Sequence, residues 1–85
     1  MKSFTYVIQD ALGIHARPAG QLVKQAAAWP CSITLEAPTK TVDAKRLLAV
    51  MSAAVKQGNQ VTVRCEGERE EEAASALEAF FRSTL

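Results

Sequence analysis

Residues 60 to 66, Gln-Val-Thr-Val-Arg-Cys-Glu, alternate between apolar and polar side chains. The apolar positions are Val61, Val63 and Cys65, and the polar positions beside them are Thr62, Arg64 and Glu66. Because successive side chains of a β-strand point to opposite faces, this alternation predicts a strand with one covered face and one face in water. Sheets with one solvated face are commonly antiparallel. The stretch therefore predicts an antiparallel sheet that is packed on one side only.

The same alternation marks residues 3–8 and 31–36, and a shorter candidate strand covers residues 40–43. The apolar positions of the two longer segments are Phe4, Tyr6, Ile8, Cys31, Ile33 and Leu35. Residues 37–39, Ala-Pro-Thr, have the composition of a tight turn and join the second strand to the short one. These segments predict a sheet of four strands.

Three other segments repeat their apolar residues at helical spacing, which predicts helices over about residues 17–28, 47–56 and 69–83. Pro18 suits the first turn of a helix, where its missing N–H removes no intrahelical bond. Gly58 is the expected stop signal after the second helix. The residues expected to face the core are Ala19, Leu22, Val23, Ala26, Val50, Ala54, Ala73, Leu77, Phe80 and Phe81.

The elements follow the order β-α-β-β-α-β-α. Three helices with one apolar stripe each can cover one face of a four-stranded sheet. The sequence therefore predicts an α+β fold, a two-layer open-faced β-sandwich in which three helices cover one face of an antiparallel sheet. A chain of 85 residues is expected to form a single domain, residues 1–85, because it is too short for a second core.

Composition argues against several classes of function. A net charge of +1 is atypical of a nucleic-acid binder, and no apolar run approaches the roughly 20 residues that cross a bilayer. The N-terminal segment alternates instead of forming a signal peptide, so we expect a cytoplasmic protein. Cys31 and Cys65 lack the spacing of metal ligands and have no histidine beside them, so they are expected to be buried thiols. We expect no metal and no cofactor.

Residues 13 to 19, Gly-Ile-His-Ala-Arg-Pro-Ala, contain the only histidine of the chain. His15 lies immediately before the first predicted helix, where the first backbone N–H groups have no partner within the helix. These amides and the helix dipole form an anion site, and Arg17 adds a cation that can hold two oxygens at once. Gly13 relieves steric demands in the turn that brings His15 to the surface.

The same positive helix end favours a neutral imidazole over imidazolium, and a neutral imidazole is a nucleophile. A nitrogen of His15 is therefore suited to accept a phosphoryl group whose oxygens bind the helix amides and Arg17. The residues alone leave plainer interpretations open: His15 as a surface residue or local cap, and Arg17 as a solvated side chain. Serine, cysteine or metal mechanisms lack their motifs in this sequence.

The sequence resembles the HPr family of phosphocarrier proteins of the bacterial phosphoenolpyruvate-dependent sugar phosphotransferase system. Residues 13–19, Gly-Ile-His-Ala-Arg-Pro-Ala, match the active-site signature of that family. Residues 39–42, Thr-Lys-Thr-Val, the Val-Met-Ser segment at 50–52, the chain length and the element order extend the resemblance over essentially the whole chain.

The resemblance implies that His15 is phosphorylated through its δ1 nitrogen. It implies that enzyme I, charged by phosphoenolpyruvate, supplies the phosphoryl group and that the A domain of a sugar-specific enzyme II receives it. Arg17 would assist the transfer, and the backbone amides of Ala16 and Arg17 would hold the phosphoryl oxygens. Such a protein is a carrier with a covalent intermediate rather than a turnover enzyme, and it is expected to be a monomer.

The resemblance also implies a partner-binding surface around the imidazole. Its expected apolar part consists of Leu47, Leu48 and Met51. Its expected rim consists of Gln21, Lys24, Lys45 and Arg46. The alternative is that the apolar residues belong to the core and that the rim is ordinary solvated surface.

Two positions depart from the family pattern. Arg46 occupies the position at which many relatives carry a regulatory serine, so this control is expected to be absent. Leu12 replaces a small polar residue that can bond phosphoryl oxygens, and a leucine there also occurs in relatives of a nitrogen-related phosphotransfer chain. Two alternatives to sugar uptake therefore stay open: a carrier of such a nitrogen-related chain, and a regulatory module that binds an anion or an acidic partner without covalent chemistry. A small hydrolase of acyl phosphates would need a second polar group near Arg17, for which the sequence offers no candidate.

Overall fold

Seven elements of secondary structure follow one another in the predicted order in a computed structural model that describes residues 1–85. They are β1 (Lys2–Val7), α1 (Ala16–Ala27), β2 (Ser32–Glu36), β3 (Thr41–Asp43), α2 (Leu47–Ser52), β4 (Gln60–Glu66) and α3 (Glu70–Thr84). The four strands form one antiparallel sheet, and the three helices lie on one of its faces. The predicted α+β open-faced sandwich is confirmed.

The strand order is β1-β4-β2-β3, so β4 lies inside the sheet between β1 and β2. In the register, Val63 lies opposite Phe4 on β1 and opposite Leu35 on β2. The apolar positions of the three strands therefore share one face. This face packs against the helices. Most of its residues belong to a cluster of 21 buried apolar residues, and the partly buried Phe4 and Tyr6 pack against that cluster.

The aromatic centre of the core is Phe81 on α3, which is fully buried. Its ring makes edge-on contacts with Phe4, Tyr6 and Phe80, with ring centroids 5.6, 5.8 and 5.9 Å apart. Edge-to-face pairs of this kind add stabilisation beyond the area that they bury. The opposite face of the sheet is polar, and there Arg64 pairs with Glu36 at 2.9 Å.

The second helix is shorter than the sequence predicts. It ends at Ser52 instead of continuing to residue 56, and Ala54 adopts a left-handed backbone conformation with φ of 51°. The expectation that Ala54 faces the core is therefore wrong: Ala54 is exposed, and Ala53 and Val55 are buried instead. The helix ends early because burying Val55 requires the chain to leave the helical path.

Replacing Ala54 with glycine is expected to raise the free energy of unfolding by about 0.5–1 kcal/mol. A left-handed conformation costs a residue with a Cβ roughly 1–2 kcal/mol, and glycine avoids this strain. Part of the gain is offset because glycine loses more backbone entropy than alanine on folding. Urea denaturation measures the difference. Ala79→Gly, at an exposed position inside α3, is the control and should lose about 1 kcal/mol. A loss of stability in both variants would contradict the strain at Ala54.

Both cysteines are buried free thiols, as expected. Burial of Cys65 on β4 raises the pKa of its thiol to about 11, and the neighbouring Cys31 adds to the shift. Buried thiols in an apolar layer behave as small hydrophobes. No helix of the structure combines the length and the apolar character needed to span a bilayer.

The raised pKa of Cys65 predicts how stability changes in alkaline solution. Because the folded-state pKa lies above the ordinary value of 9.0, the unfolded chain loses this proton first. The free energy of unfolding should therefore fall as the pH rises from 9.0 to about 11. Urea denaturation across this range should show a shallower fall for Cys65→Ala than for the wild type. Equal slopes would show that Cys65 does not contribute.

Candidate functional site

His15 is the residue at which the loop after β1 becomes helix α1. Its backbone is extended, with φ of −90° and ψ of −175°, and its carbonyl accepts the N–H of Ala19 at 2.9 Å. The imidazole makes no capping bond to the helix, and 37% of the side chain is exposed. The ring therefore lies at the surface and is not used to cap the helix.

The first turn of α1 leaves three backbone donors free. The N–H groups of His15, Ala16 and Arg17 have no acceptor in the protein, and Pro18 has no N–H to offer. No acidic residue lies in this turn. The positive end of the helix dipole is therefore not neutralised by its own helix, and its amides are available to an anion.

The loop before His15 is fixed at both of its ends. The N–H groups of Gln9 and Asp10 donate to the main-chain oxygen of Leu85 at 2.6 and 2.8 Å. Ile14, which is buried, donates its N–H to the carbonyl of Val55 at 3.1 Å. These bonds tie the start of α1 to the end of α3 and to the segment after α2.

Gly13 permits the close approach of this loop to the segment after α2. Its φ is +66°, and a Cβ at this position would lie 2.2 Å from the carbonyl oxygen of Val55 and 2.8 Å from the Cα of Lys56. Both atoms belong to the backbone and cannot turn away as a flexible side chain would. Glycine is therefore required here.

Replacing Gly13 with alanine is expected to lower the free energy of unfolding by about 2 kcal/mol or more, because strain and overlap act together. The matched control is Gly20→Ala in α1, where an added Cβ has no atom within 4 Å. This second change should stabilise the protein by about 1 kcal/mol through helix propensity. Urea denaturation of the two variants checks both signs. An equal change in the free energy of unfolding in both variants would contradict the requirement for glycine at position 13.

Two charged side chains flank the imidazole site. Arg17 is exposed and has no carboxylate within 4.0 Å, so its guanidinium is free to bind an anion. Asp10 is the second charged residue near the imidazole, with Oδ2 3.9 Å from Nε2 of His15. Sequence reasoning missed Asp10, although an aspartate three residues before Gly13 is a recognisable turn signal.

An exposed apolar surface lies on α2. Leu47, Leu48 and Met51 are exposed to 42%, 81% and 41%, whereas Val50 of the same helix is fully buried. The expectation that the first three belong outside the core is therefore confirmed for their exposure. Leu12, in the loop before His15, is 71% exposed and adds a further apolar side chain.

The predicted rim residues occupy different environments. Gln21, Lys24 and Arg46 are exposed, and Gln21 lies one helical turn after Arg17 on the same side of α1. Lys45 is half-buried, because its Nζ donates a 2.7 Å hydrogen bond to the carbonyl of Trp29. Lys45 therefore has a structural contact that the sequence did not indicate.

No three His, Cys, Asp or Glu side chains come together in a way that could hold a metal ion. The chemistry that the site offers is that of an imidazole, a guanidinium and free backbone amides. The fold and the site define a small α+β protein that presents its one imidazole on the surface, at a helix end with free backbone amides.

Comparisons with known proteins agree with this class. The family model for the PTS HPr component phosphorylation site, PTS being the phosphotransferase system, matches residues 2–83. The phosphocarrier protein HPr of Lysinibacillus sphaericus is 44% identical over 77 residues, which cover 91% of this chain and 88% of that protein.

Solved structures give the same result. The histidine-containing phosphocarrier protein of a mycoplasma has a TM-score of 0.94 at 32% identity, and the match covers 98% of this chain and 94% of that one. HPr-C-His from Thermoanaerobacter tengcongensis has a TM-score of 0.92 at 41% identity, covering 98% and 93%. The chain belongs to the HPr family, the phosphocarrier proteins of the phosphotransferase system.

Proposed function

We propose that Nδ1 of His15 accepts a phosphoryl group from phosphorylated enzyme I and passes it to the A domain of a sugar-specific enzyme II in the cytoplasm. One observation supports this most directly. The only imidazole of the chain is partly exposed at a helix end with three free amides, and an unpaired arginine lies two residues further on.

The proposed reaction is a displacement at phosphorus. The lone pair of Nδ1 forms the new N–P bond while the bond between phosphorus and the donor breaks, and its electron pair leaves with the donor. The amides of Ala16 and Arg17 bind the phosphoryl oxygens, and the Arg17 guanidinium offsets their charge. Hydrogen bonds to charged groups stabilise by about 1.5–3 kcal/mol each, so the contacts hold the group without making its release prohibitive.

The exposed apolar surface on α2 is the proposed docking site for both partner proteins. Leu47, Leu48 and Met51 form its centre, where apolar side chains lose water on contact with a partner. The polar rim consists of Gln21, Lys24, Lys45 and Arg46. Both partners must reach the same imidazole in turn, so the protein is proposed to act as a monomer that binds one partner at a time.

Incubation with enzyme I and radiolabelled phosphoenolpyruvate tests the proposal. The wild-type protein should carry one acid-labile phosphate, and His15→Ala should carry none. Arg17→Ala should accept phosphate roughly 100-fold more slowly, as expected for loss of a donor to the transition state. Circular dichroism should show that both variants remain folded.

The matched control is Arg64→Ala, which removes an arginine from the uncovered face of the sheet and should leave the rate unchanged. Label on His15→Ala would contradict phosphorylation at His15. Absence of label on the wild type, with a donor that labels another HPr, would favour the non-covalent regulatory module.

The exposed Leu12 supports one second candidate, a carrier of a nitrogen-related phosphotransfer chain. An apolar side chain at this place cannot bond phosphoryl oxygens, and 71% of it is exposed, so it is accessible to a donor protein. The same labelling experiment distinguishes the two pathways when enzyme I proteins of both systems are compared as donors. Faster transfer from the nitrogen-related donor would overturn the assignment to sugar uptake.

A further inference from the structure

Asp10 is held firmly in the loop that precedes His15. Its N–H donates to the main-chain oxygen of Leu85 at 2.8 Å, and its carbonyl accepts the N–H of Gly13 at 2.9 Å. Its carboxylate oxygen Oδ1 accepts the N–H of Leu12 at 2.8 Å. The two main-chain bonds hold the residue in the loop, and the bond to Oδ1 orients its carboxylate. The other carboxylate oxygen, Oδ2, lies 3.9 Å from Nε2 of His15.

A carboxylate on the Nε2 side bears on which ring nitrogen carries the proton. A neutral imidazole has one protonated nitrogen and one with a free lone pair, and its surroundings select between the two tautomers. The negative charge of Asp10 favours the tautomer with hydrogen on Nε2. That tautomer leaves the lone pair on Nδ1.

We propose that Asp10 is a positioning residue that keeps the proton of His15 on Nε2 and so directs phosphoryl transfer to Nδ1. This inference rests on the proposed function. During acceptance, the Nδ1 lone pair forms the N–P bond and the ring becomes a cationic phosphoimidazolium with its proton still on Nε2. The carboxylate of Asp10 stabilises that cation.

The same contact serves the return step. When the receiving protein attacks phosphorus, the N–P bond breaks and its electron pair returns to Nδ1. With the proton on Nε2 the leaving group is a neutral imidazole, whereas without it the leaving group would be an imidazolate anion. Asp10 therefore assists departure as well as acceptance, although it touches neither phosphorus nor its oxygens.

A purely structural role for Asp10 is the alternative, because its bond to the Leu12 N–H also shapes the loop. Asp43 provides the comparison, since its Oδ1 accepts the N–H of Lys45 at 2.9 Å in the same two-residue turn. Asp43 has no contact with the imidazole within 4.0 Å. The two aspartates thus make the same kind of turn hydrogen bond, but only Asp10 lies near the imidazole of His15.

Asp10→Asn separates the two roles, because asparagine keeps the oxygen that accepts the Leu12 N–H but loses the charge. Nitrogen-15 NMR of the His15 ring in the full-length, unphosphorylated protein measures the tautomer ratio. The ratio of Nε2–H to Nδ1–H should fall roughly two- to fivefold, as expected for an exposed charge contact. Asp43→Asn should leave it unchanged. An unchanged ratio in Asp10→Asn would overturn the proposal.

Transfer kinetics supply the second measurement. With enzyme I and phosphoenolpyruvate, Asp10→Asn should accept phosphate more slowly by a similar factor, while its urea midpoint stays close to that of the wild type. A shifted tautomer ratio with an unchanged rate would also overturn the role. Absence of label on the wild type would overturn the proposed function and this inference together, whereas a labelled wild type with an unchanged Asp10→Asn ratio would overturn the inference alone.

Discussion

The contact of Gly13 and Ile14 with the carbonyl of Val55 determines where the functional site lies. The Ile14 N–H donates to this carbonyl at 3.1 Å, and the missing side chain of Gly13 allows the two backbones to approach closely. The contact fixes the point at which α1 begins, and therefore the position of His15 and of the free amides that follow it. The same carbonyl belongs to the segment after α2, so the exposed apolar surface and the imidazole are fixed to one piece of backbone. The exposed side chains of α2 and the imidazole therefore keep a defined position relative to each other.

Most of the fold could be predicted from the sequence because each strand has one face in water. Alternation such as that of residues 60–66 arises wherever one side of a sheet is covered and the other is solvated, so strands and their buried faces follow directly. The limits of α1 were also predictable to within one residue, because Pro18 marks its start and Trp29-Pro30 its end. These signals act locally, within a few residues of the position that they determine.

The end of α2 is set by contacts distant in sequence, and for that reason the prediction was wrong there. Residues 53–56 continue the helical spacing in part, but Val55 is drawn into the core and its carbonyl accepts the bond from Ile14. Lys45 and Asp10 are similar cases, because their contacts with Trp29 and His15 depend on tertiary placement. For the candidate site, the free amides of Ala16 and Arg17 could be predicted because the first N–H groups of a helix have no partner within it. The roles of His15 and Arg17 in phosphoryl transfer stay predictions. Asp10, five residues before His15, could not be assigned to the site from the sequence, because only the folded loop brings its carboxylate near the imidazole.

The chemistry of a carrier explains why this site is built from backbone more than from side chains. A deep pocket with many charged groups would hold a phosphoryl group tightly and slow its release, since uniformly strong binding lowers the energy of the intermediate as well. Three free amides, one exposed arginine and a leucine at position 12 give a shallow site in which a single side chain is cationic. Under the proposed function, the donor and acceptor proteins would then supply further contacts in the transition state of each transfer. The small domain needs only to keep one imidazole exposed, oriented and beside the helix end.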